Sequence, residues 1–278
     1  MSLVLEFLGG LGSFLLGIKF MGDGLQRSAG DRLRDILDKY TSNPFLGVLA
    51  GLVVTVLIQS SSGTTVITVG LVSAGFMTLR QAIGVIMGAN IGTTVTAFII
   101  GLNIGEYALP ILALGSFLIF FFNNQKVNAV GQTLFGFGAL FFGLDLMSDG
   151  MSPLRASETF HQLTISMSDT PILGVAIGTL FTTLIQSSSA AIGILQGLYA
   201  EGAISLQAAL PVLLGDNIGT TITAVLASLG ASIVAKRAAL THVVFNLIGA
   251  IIVLILLIPF TNLIFFFQDQ FSLEPRMT

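Results

Sequence analysis

GLVVTVLIQSSS, running from Gly51 to Ser62, returns as GTLFTTLIQSSS from Gly178 to Ser189. Further along, GANIGTTVTA from Gly88 returns as GDNIGTTITA from Gly215, at the same offset of 127 residues. Between Gly51 and Ala97 the register never slips, and 23 of 47 aligned positions are identical. With a one-residue shift the match extends back to GIKFMGDGL at Gly17 and GLDLMSDGM at Gly143. The chain is a tandem duplication, so whatever the first half does the second must be able to do.

Composition says where the duplicated unit sits. Of 278 residues, 54% are hydrophobic and only 9% charged, with a mean hydropathy of +0.94. A soluble domain carries about 25% charged residues, so much of this surface faces lipid. The net charge of −3 leaves no basic field for nucleic acid. With no cysteine, disulfides and thiolate metal sites are excluded. The first apolar segment lacks a basic leader and a small-residue cleavage site, so it reads as a retained span.

Each half follows one plan. Leu3–Leu25 is long enough to span a bilayer, and Ser28–Tyr40 is polar with apolar residues at helical spacing, as in an interfacial helix. Phe45–Gly75 is apolar but interrupted by QSSSGTT; Leu79–Leu102 is apolar but interrupted by GANIGTT; Tyr107–Phe122 spans again. The second half offers spans near 129–150, 206–230 and 238–267, an interrupted segment near 172–200, and a counterpart interfacial stretch at Ser152–Thr170. Each flank of QSSS has about fifteen residues where a crossing needs about 20. The expectation is therefore a re-entrant helical hairpin at each QSSS and a broken helix at each GxNIGTT. Three crossings per half is an odd number, which inverts the second half against the first. The fold expected is an all-α polytopic membrane protein: two inverted repeats, residues 1–125 and 126–278, forming one transmembrane unit of six spans, two hairpins and two interfacial helices.

Basic residues orient it, because Lys and Arg concentrate in cytoplasmic loops. Arg27, Arg32, Arg34, Lys39, Arg80, Lys126, Lys236 and Arg237 fall on one side of this topology, against Arg155 and Arg276 on the other. Both termini are then expected outside.

Non-helical backbone at membrane depth is tolerated only where it is buried in protein or lines a cavity. A broken helix presents free N–H groups that suit an anion and free carbonyls that suit a small cation. The breaks are filled with hydroxyls and amides: Gln59, Ser60, Ser61, Ser62, Thr64, Thr65, Asn90, Thr93 and Thr94, then Gln186, Ser187, Ser188, Ser189, Asn217, Thr220 and Thr221. Serine donates to an anion and coordinates a hard cation. Helix capping accounts for one serine per motif, not for three with a glutamine, twice. Asn90 and Asn217 read either as site residues or as interhelical hydrogen-bond partners.

At these residues the sequence resembles the sodium-dependent phosphate cotransporters of the type II kind and their bacterial homologues. The paired QSSS and GxNIGTT segments carry the resemblance, with TSNP at Thr41–Pro44 and AKRAALTHVVFN at Ala235–Asn246. Many bacterial members add a helical domain resembling a phosphate-regulatory protein, which has no counterpart before Thr278. The resemblance implies symport of Na⁺ with inorganic phosphate in a cell membrane, with Gln59–Ser62 and Gln186–Ser189 lining the sites and Asn90, Thr93, Asn217 and Thr220 beside them. A homodimer is compatible with it.

Together these readings assign substrate contacts to Gln59, Ser60, Ser61, Ser62, Thr64, Asn90, Gln186, Ser187, Ser188, Ser189 and Asn217. Sodium contacts fall to Ser61, Thr93, Thr94, Ser188, Asp216, Thr220 and Thr221. Asp216 stands where the first half has Ala89. A carboxylate so deep requires a partner, either a bound Na⁺ or, with the acid protonated, a neighbouring helix. Lys19 and Asp23, four apart on one helix, read as snorkelling or paired with each other. His242 and Asn246 share a helix face and read as cross-helix bonds. An aspartyl enzyme is disfavoured because Asp23 and Asp149 fall at opposite membrane faces. A channel, another oxyanion or proton coupling stay open.

Overall fold

A computed structural model describes residues 2–29, 36, 43–102, 104–151 and 157–272. The described residues hold helices and turns, in the order α1 (Ser2–Ala29), α2 (Pro44–Ile58), α3 (Ser61–Ser73), α4 (Leu79–Gly101), α5 (Ala108–Phe121), α6 (Gln125–Met151), α7 (Glu158–Asp169), α8 (Pro171–Ile185), α9 (Ser188–Ala200), α10 (Leu206–Thr220), α11 (Ile222–Ala227), α12 (Ile233–Ile255) and α13 (Leu257–Phe271). Most of the first interfacial stretch, with Arg32, Arg34 and Lys39, lies outside the described residues, as do Arg155 and Arg276.

Among the described residues, five helices are long and apolar enough to cross a membrane, and Gly105–Phe121 is a shorter apolar helix. Their exposure is inverted relative to a soluble protein. On α12, Leu240, Val244, Ile248, Ile251 and Ile255 are exposed, whereas Ala235, Ala239, His242, Asn246 and Ala250 are buried. Apolar residues out and polar residues in is the arrangement that lipid demands.

Glycine decides how the helices pack. Gly10, Gly17 and Gly24 recur every seven residues on α1, and Gly136, Gly143 and Gly150 do so on α6. A Cβ on Gly10 would lie 2.7 Å from the Gly143 carbonyl oxygen, and one on Gly136 2.6 Å from that of Gly17. One on Gly24 would meet Ala129 and one on Gly150 would meet Leu3, so the two helices run antiparallel with their backbones in contact.

The hairpin arms are placed the same way. Gly47 faces Gln81 and Gly84, while Gly92 faces Thr55, so α2 and α4 run parallel. The α3 helix between them must therefore bring the chain back, which makes α2–α3 a helical hairpin. In the second half Gly174 faces Pro211 and Gly219 faces Thr182. Every one of these contacts sits 127 residues from its counterpart, and α8–α9 is a hairpin by the same argument.

Two expectations change. GANIGTT does not break its helix: α4 runs unbroken from Leu79 to Gly101, started by a Thr78/Gln81 capping box. Its threonines satisfy themselves within the helix, the Thr93 hydroxyl donating to Ala89 O (3.3 Å) and the Thr94 hydroxyl to Ile91 O (2.7 Å). Its glycines serve contact instead, since a Cβ on Gly88 would collide with the Val48 carbonyl. Only the second copy is interrupted, at Thr221 between α10 and α11. The last span begins at Ile233, capped by Ser232, and ends at Ile255 rather than running over 238–267. Pro259, in the first turn of α13, has no N–H to offer the Ile255 carbonyl, so the helix restarts at Leu257.

Candidate functional site

The tips of the two hairpins are built alike. Gln59 closes α2 in the left-handed region (φ 57°, ψ 29°) and Gln186 closes α8 there (φ 56°, ψ 26°). Few non-glycine residues hold this conformation, and two symmetric cases in one molecule mark a tip shaped by its neighbours. The next residue is extended and caps the following helix: Ser60 Oγ accepts from Gly63 N–H (3.0 Å) and Ser187 Oγ from Ala190 N–H (3.3 Å). Capping thus uses one serine per motif. The hydroxyls of Ser61, Ser62, Ser188 and Ser189 bond to no protein group.

Both tips open on one cavity of about 220 Å³, lined by Gln59, Ser60, Ser61 and Ser62 from one half and Gln186, Ser187, Ser188 and Ser189 from the other. That volume corresponds to about seven water molecules at about 30 Å³ each. Eight of the residues singled out from sequence therefore meet, although 127 positions separate the two quartets.

The helix α1 completes the wall with Ile18, Lys19, Gly22, Asp23 and Gln26. A Cβ on Gly22 would lie 2.8 Å from Ile58 O, so α1 packs directly on the first tip. Lys19 and Asp23 were read as snorkelling or paired; they line the cavity, Lys19 is exposed, and no ion pair joins them. The signal that would have placed them is their position inside a repeated apolar span, where a charge is functional by default.

The remaining candidates lie elsewhere. Thr64 is fully buried; its hydroxyl donates to Ser60 O (3.1 Å) and accepts from Thr55 Oγ1 (2.9 Å), so it faces the hairpin interior. Asn90, Thr93, Thr94 and Asn217 line a second cavity of about 350 Å³ with Gln196 and Tyr199. Asn90 Oδ1 also meets His242 Nε2 at 3.4 Å, which ties α12 to α4, whereas Asn246 Nδ2 donates to His242 O (2.9 Å) within α12 rather than across helices. Asp216 lines neither cavity. It is 2% exposed, takes a 2.6 Å hydrogen bond from the Thr182 hydroxyl at Oδ1, and has no partner at Oδ2. The Thr220 hydroxyl donates to Asp216 O and that of Thr221 to Ile218 O.

The chain matches the family described as Na+/Pi-cotransporter twice, over residues 13–149 and 146–269. It is 34% identical to "Uncharacterized protein YqeW" of Bacillus subtilis over 94% of this chain and 84% of that one. It is 29% identical to "Putative inorganic phosphate export protein YjbB" of Escherichia coli K12 over 95% of this chain, which spans 48% of the relative. Sodium-dependent phosphate transport protein 2B of Homo sapiens is 56% identical over 61 residues, 22% of this chain and 9% of that one. No solved structure matches the chain.

Proposed function

Because the chain belongs to the Na+/Pi-cotransporter family, we propose that it carries inorganic phosphate across a membrane coupled to Na⁺, with the two QSSS tips as halves of one site. The convergence of both tips on a single cavity carries this reading. Four unengaged serine hydroxyls supply donors to an oxyanion, and their oxygens suit a hard cation. The buried Oδ2 of Asp216, with Thr182 beside it, is the anionic oxygen available to a second Na⁺. A carboxylate this deep needs a partner, and a bound Na⁺ supplies one.

The two halves are inverted repeats in this reading. Supporting it, α1 and α6 run antiparallel through matching glycine contacts, while each hairpin meets its parallel helix through contacts 127 residues from their counterparts. The arms of 15 and 13 residues suit a re-entrant hairpin better than two crossings. Alternating access is movement of hairpins against spans that exposes one site to each side in turn. The bias of basic residues along the sequence supports a cytoplasmic side for Arg27, Arg80 and Lys126. Net direction follows the driving force, so export, the activity in the printed name of YjbB, is the same cycle run outward.

The test is uptake of labelled phosphate into proteoliposomes with and without a Na⁺ gradient, for wild type, Ser61→Ala and Ser188→Ala. Removing a hydroxyl from a buried polar site costs about 1–3 kcal/mol, so each variant should lose about fivefold or more in apparent phosphate affinity. Wild-type kinetics in either variant would remove that half from the site.

A further inference from the structure

An oxyanion held at membrane depth draws on positive charge, and beyond the N-termini of α3 and α9 the two tips carry no charged side chain. Their eight lining residues are neutral hydroxyls and amides. Among the described residues, two charged side chains line the cavity, Lys19 and Asp23, one turn apart on α1. They form no ion pair with each other, so neither charge is used up within the helix. Gly22 lies between them in sequence and lets the α1 backbone approach the first tip, fixing where the two side chains start. The counterparts on α6, at an offset of 126, are Asp145, Ser148 and Asp149 in place of Lys19, Gly22 and Asp23. The duplication therefore gave the molecule two sets of serines but a single lysine on this face.

Resting on the proposed function, we propose that Lys19 is the residue that selects an anion in the QSSS cavity, its ammonium pairing with the bound oxyanion. Lysine suits this role as a compact point charge on a flexible stem, which can follow the anion as the tips move. The serines then supply shape and hydrogen bonds, and Lys19 supplies the electrostatic term that separates an oxyanion from a neutral solute.

Lys19→Gln and Lys19→Arg in proteoliposomes decide it, with half-saturation and maximal rate measured separately. Lys19→Gln should raise the phosphate concentration for half-maximal uptake by about tenfold or more, with the maximal rate and the Na⁺ requirement moving by less than about threefold. Lys19→Arg, which keeps the charge, should recover most of the phosphate affinity. Unchanged half-saturation in Lys19→Gln overturns the proposal. So does a fall in maximal rate alone, or a defect that Lys19→Arg fails to rescue, because each describes a structural lysine. If wild type carries sulfate or arsenate instead of phosphate, the phosphate reading fails by itself, and the same comparison run on that oxyanion still decides the role of Lys19.

Discussion

The two QSSS tips share four residues and the same backbone conformation, yet they sit differently. Gln59 is 4% exposed beneath α1, whereas Gln186 is exposed. On α1, Gly22 packs against Ile58 beside the first tip. Its counterpart on α6, Ser148, instead lies 3.9 Å from where a Cβ of Gly197 would be, more than two turns beyond the second tip. Identical motifs in unequal surroundings teach that tip exposure is set by the helix packed on it. The contrast lies at the glutamines, since Ser61, Ser188 and Ser189 are all buried; the alternating access proposed above would place it at one end of the cycle.

A second contrast lies just behind the tips. In the first half Thr55 bonds to Thr64 across the hairpin. In the second, the position of Thr64 is Ala191, and the counterpart of Thr55, Thr182, bonds to Asp216, where the first half has Ala89. The polar partner has moved from within the hairpin to the helix packed against it. Each half keeps its threonine satisfied by a different route.

The severest way to break the equivalence of the halves is to insert a branched side chain at the shared helix contact. Gly88→Val would drive into the Val48 carbonyl and Gly215→Val into that of Val175. Backbone cannot yield as a side chain does, so the cost should reach or exceed about 3 kcal/mol. Both variants should lose monodisperse protein on size-exclusion in detergent, and a half that tolerates its valine is not packed like the other.

The threonine contrast gives an intermediate effect. Asp216→Ala removes the acceptor of the Thr182 hydroxyl and should cost about 1–3 kcal/mol of thermal stability in detergent. Adding Ala191→Thr rebuilds the first-half pair and should recover most of that loss; no recovery would mean that position 191 does not face Thr182. Both variants should need more Na⁺ for half-maximal uptake, since neither restores a carboxylate. An unchanged Na⁺ requirement removes the cation from Asp216.

The smallest effect sharpens the comparison at the tips themselves. Gly63→Ala copies Ala190 into the first half. Alanine gains about 1 kcal/mol of helix propensity and meets Ser60 Oγ at 3.3 Å. Net stability should move by less than about 1 kcal/mol, with phosphate half-saturation within about threefold of wild type. A larger loss would show that the first tip depends on having no side chain there.

The repeat, the hairpin segments and the serine quartets were all legible in the sequence, because each leaves a local signature: a fixed offset, a flank too short to cross, a polar run inside an apolar one. The continuity of α4 was not. Glycine with threonine is the composition of a break, but it is also that of a helix whose hydroxyls bond back to its own carbonyls and whose glycines admit a neighbour. Nor did sequence separate Asn90, Thr93, Thr94 and Asn217 from the tips, since which cavity a residue lines depends on how helices assemble. That α1 lies across a hairpin tip and brings Lys19 to the cavity depends on the same assembly.

The seam between α1 and α6 has an ancestral reading. Subtract 126 from the α6 residues and its contacts become reciprocal: Gly10 meets Gly17, Gly17 meets Gly10, and Gly24 meets Leu3 just as Leu3 meets Gly24. A contact set that maps onto itself when the partners are exchanged is that of a two-fold homodimer. The gene before duplication needed no partner gene. Two copies of one short protein, inserted in opposite senses, would have met through this glycine heptad and brought two identical serine tips together. In the proposed inverted arrangement, fusion would have held the two orientations in a single chain and freed each copy to change, as the pairs Lys19/Asp145 and Ala89/Asp216 differ between the halves.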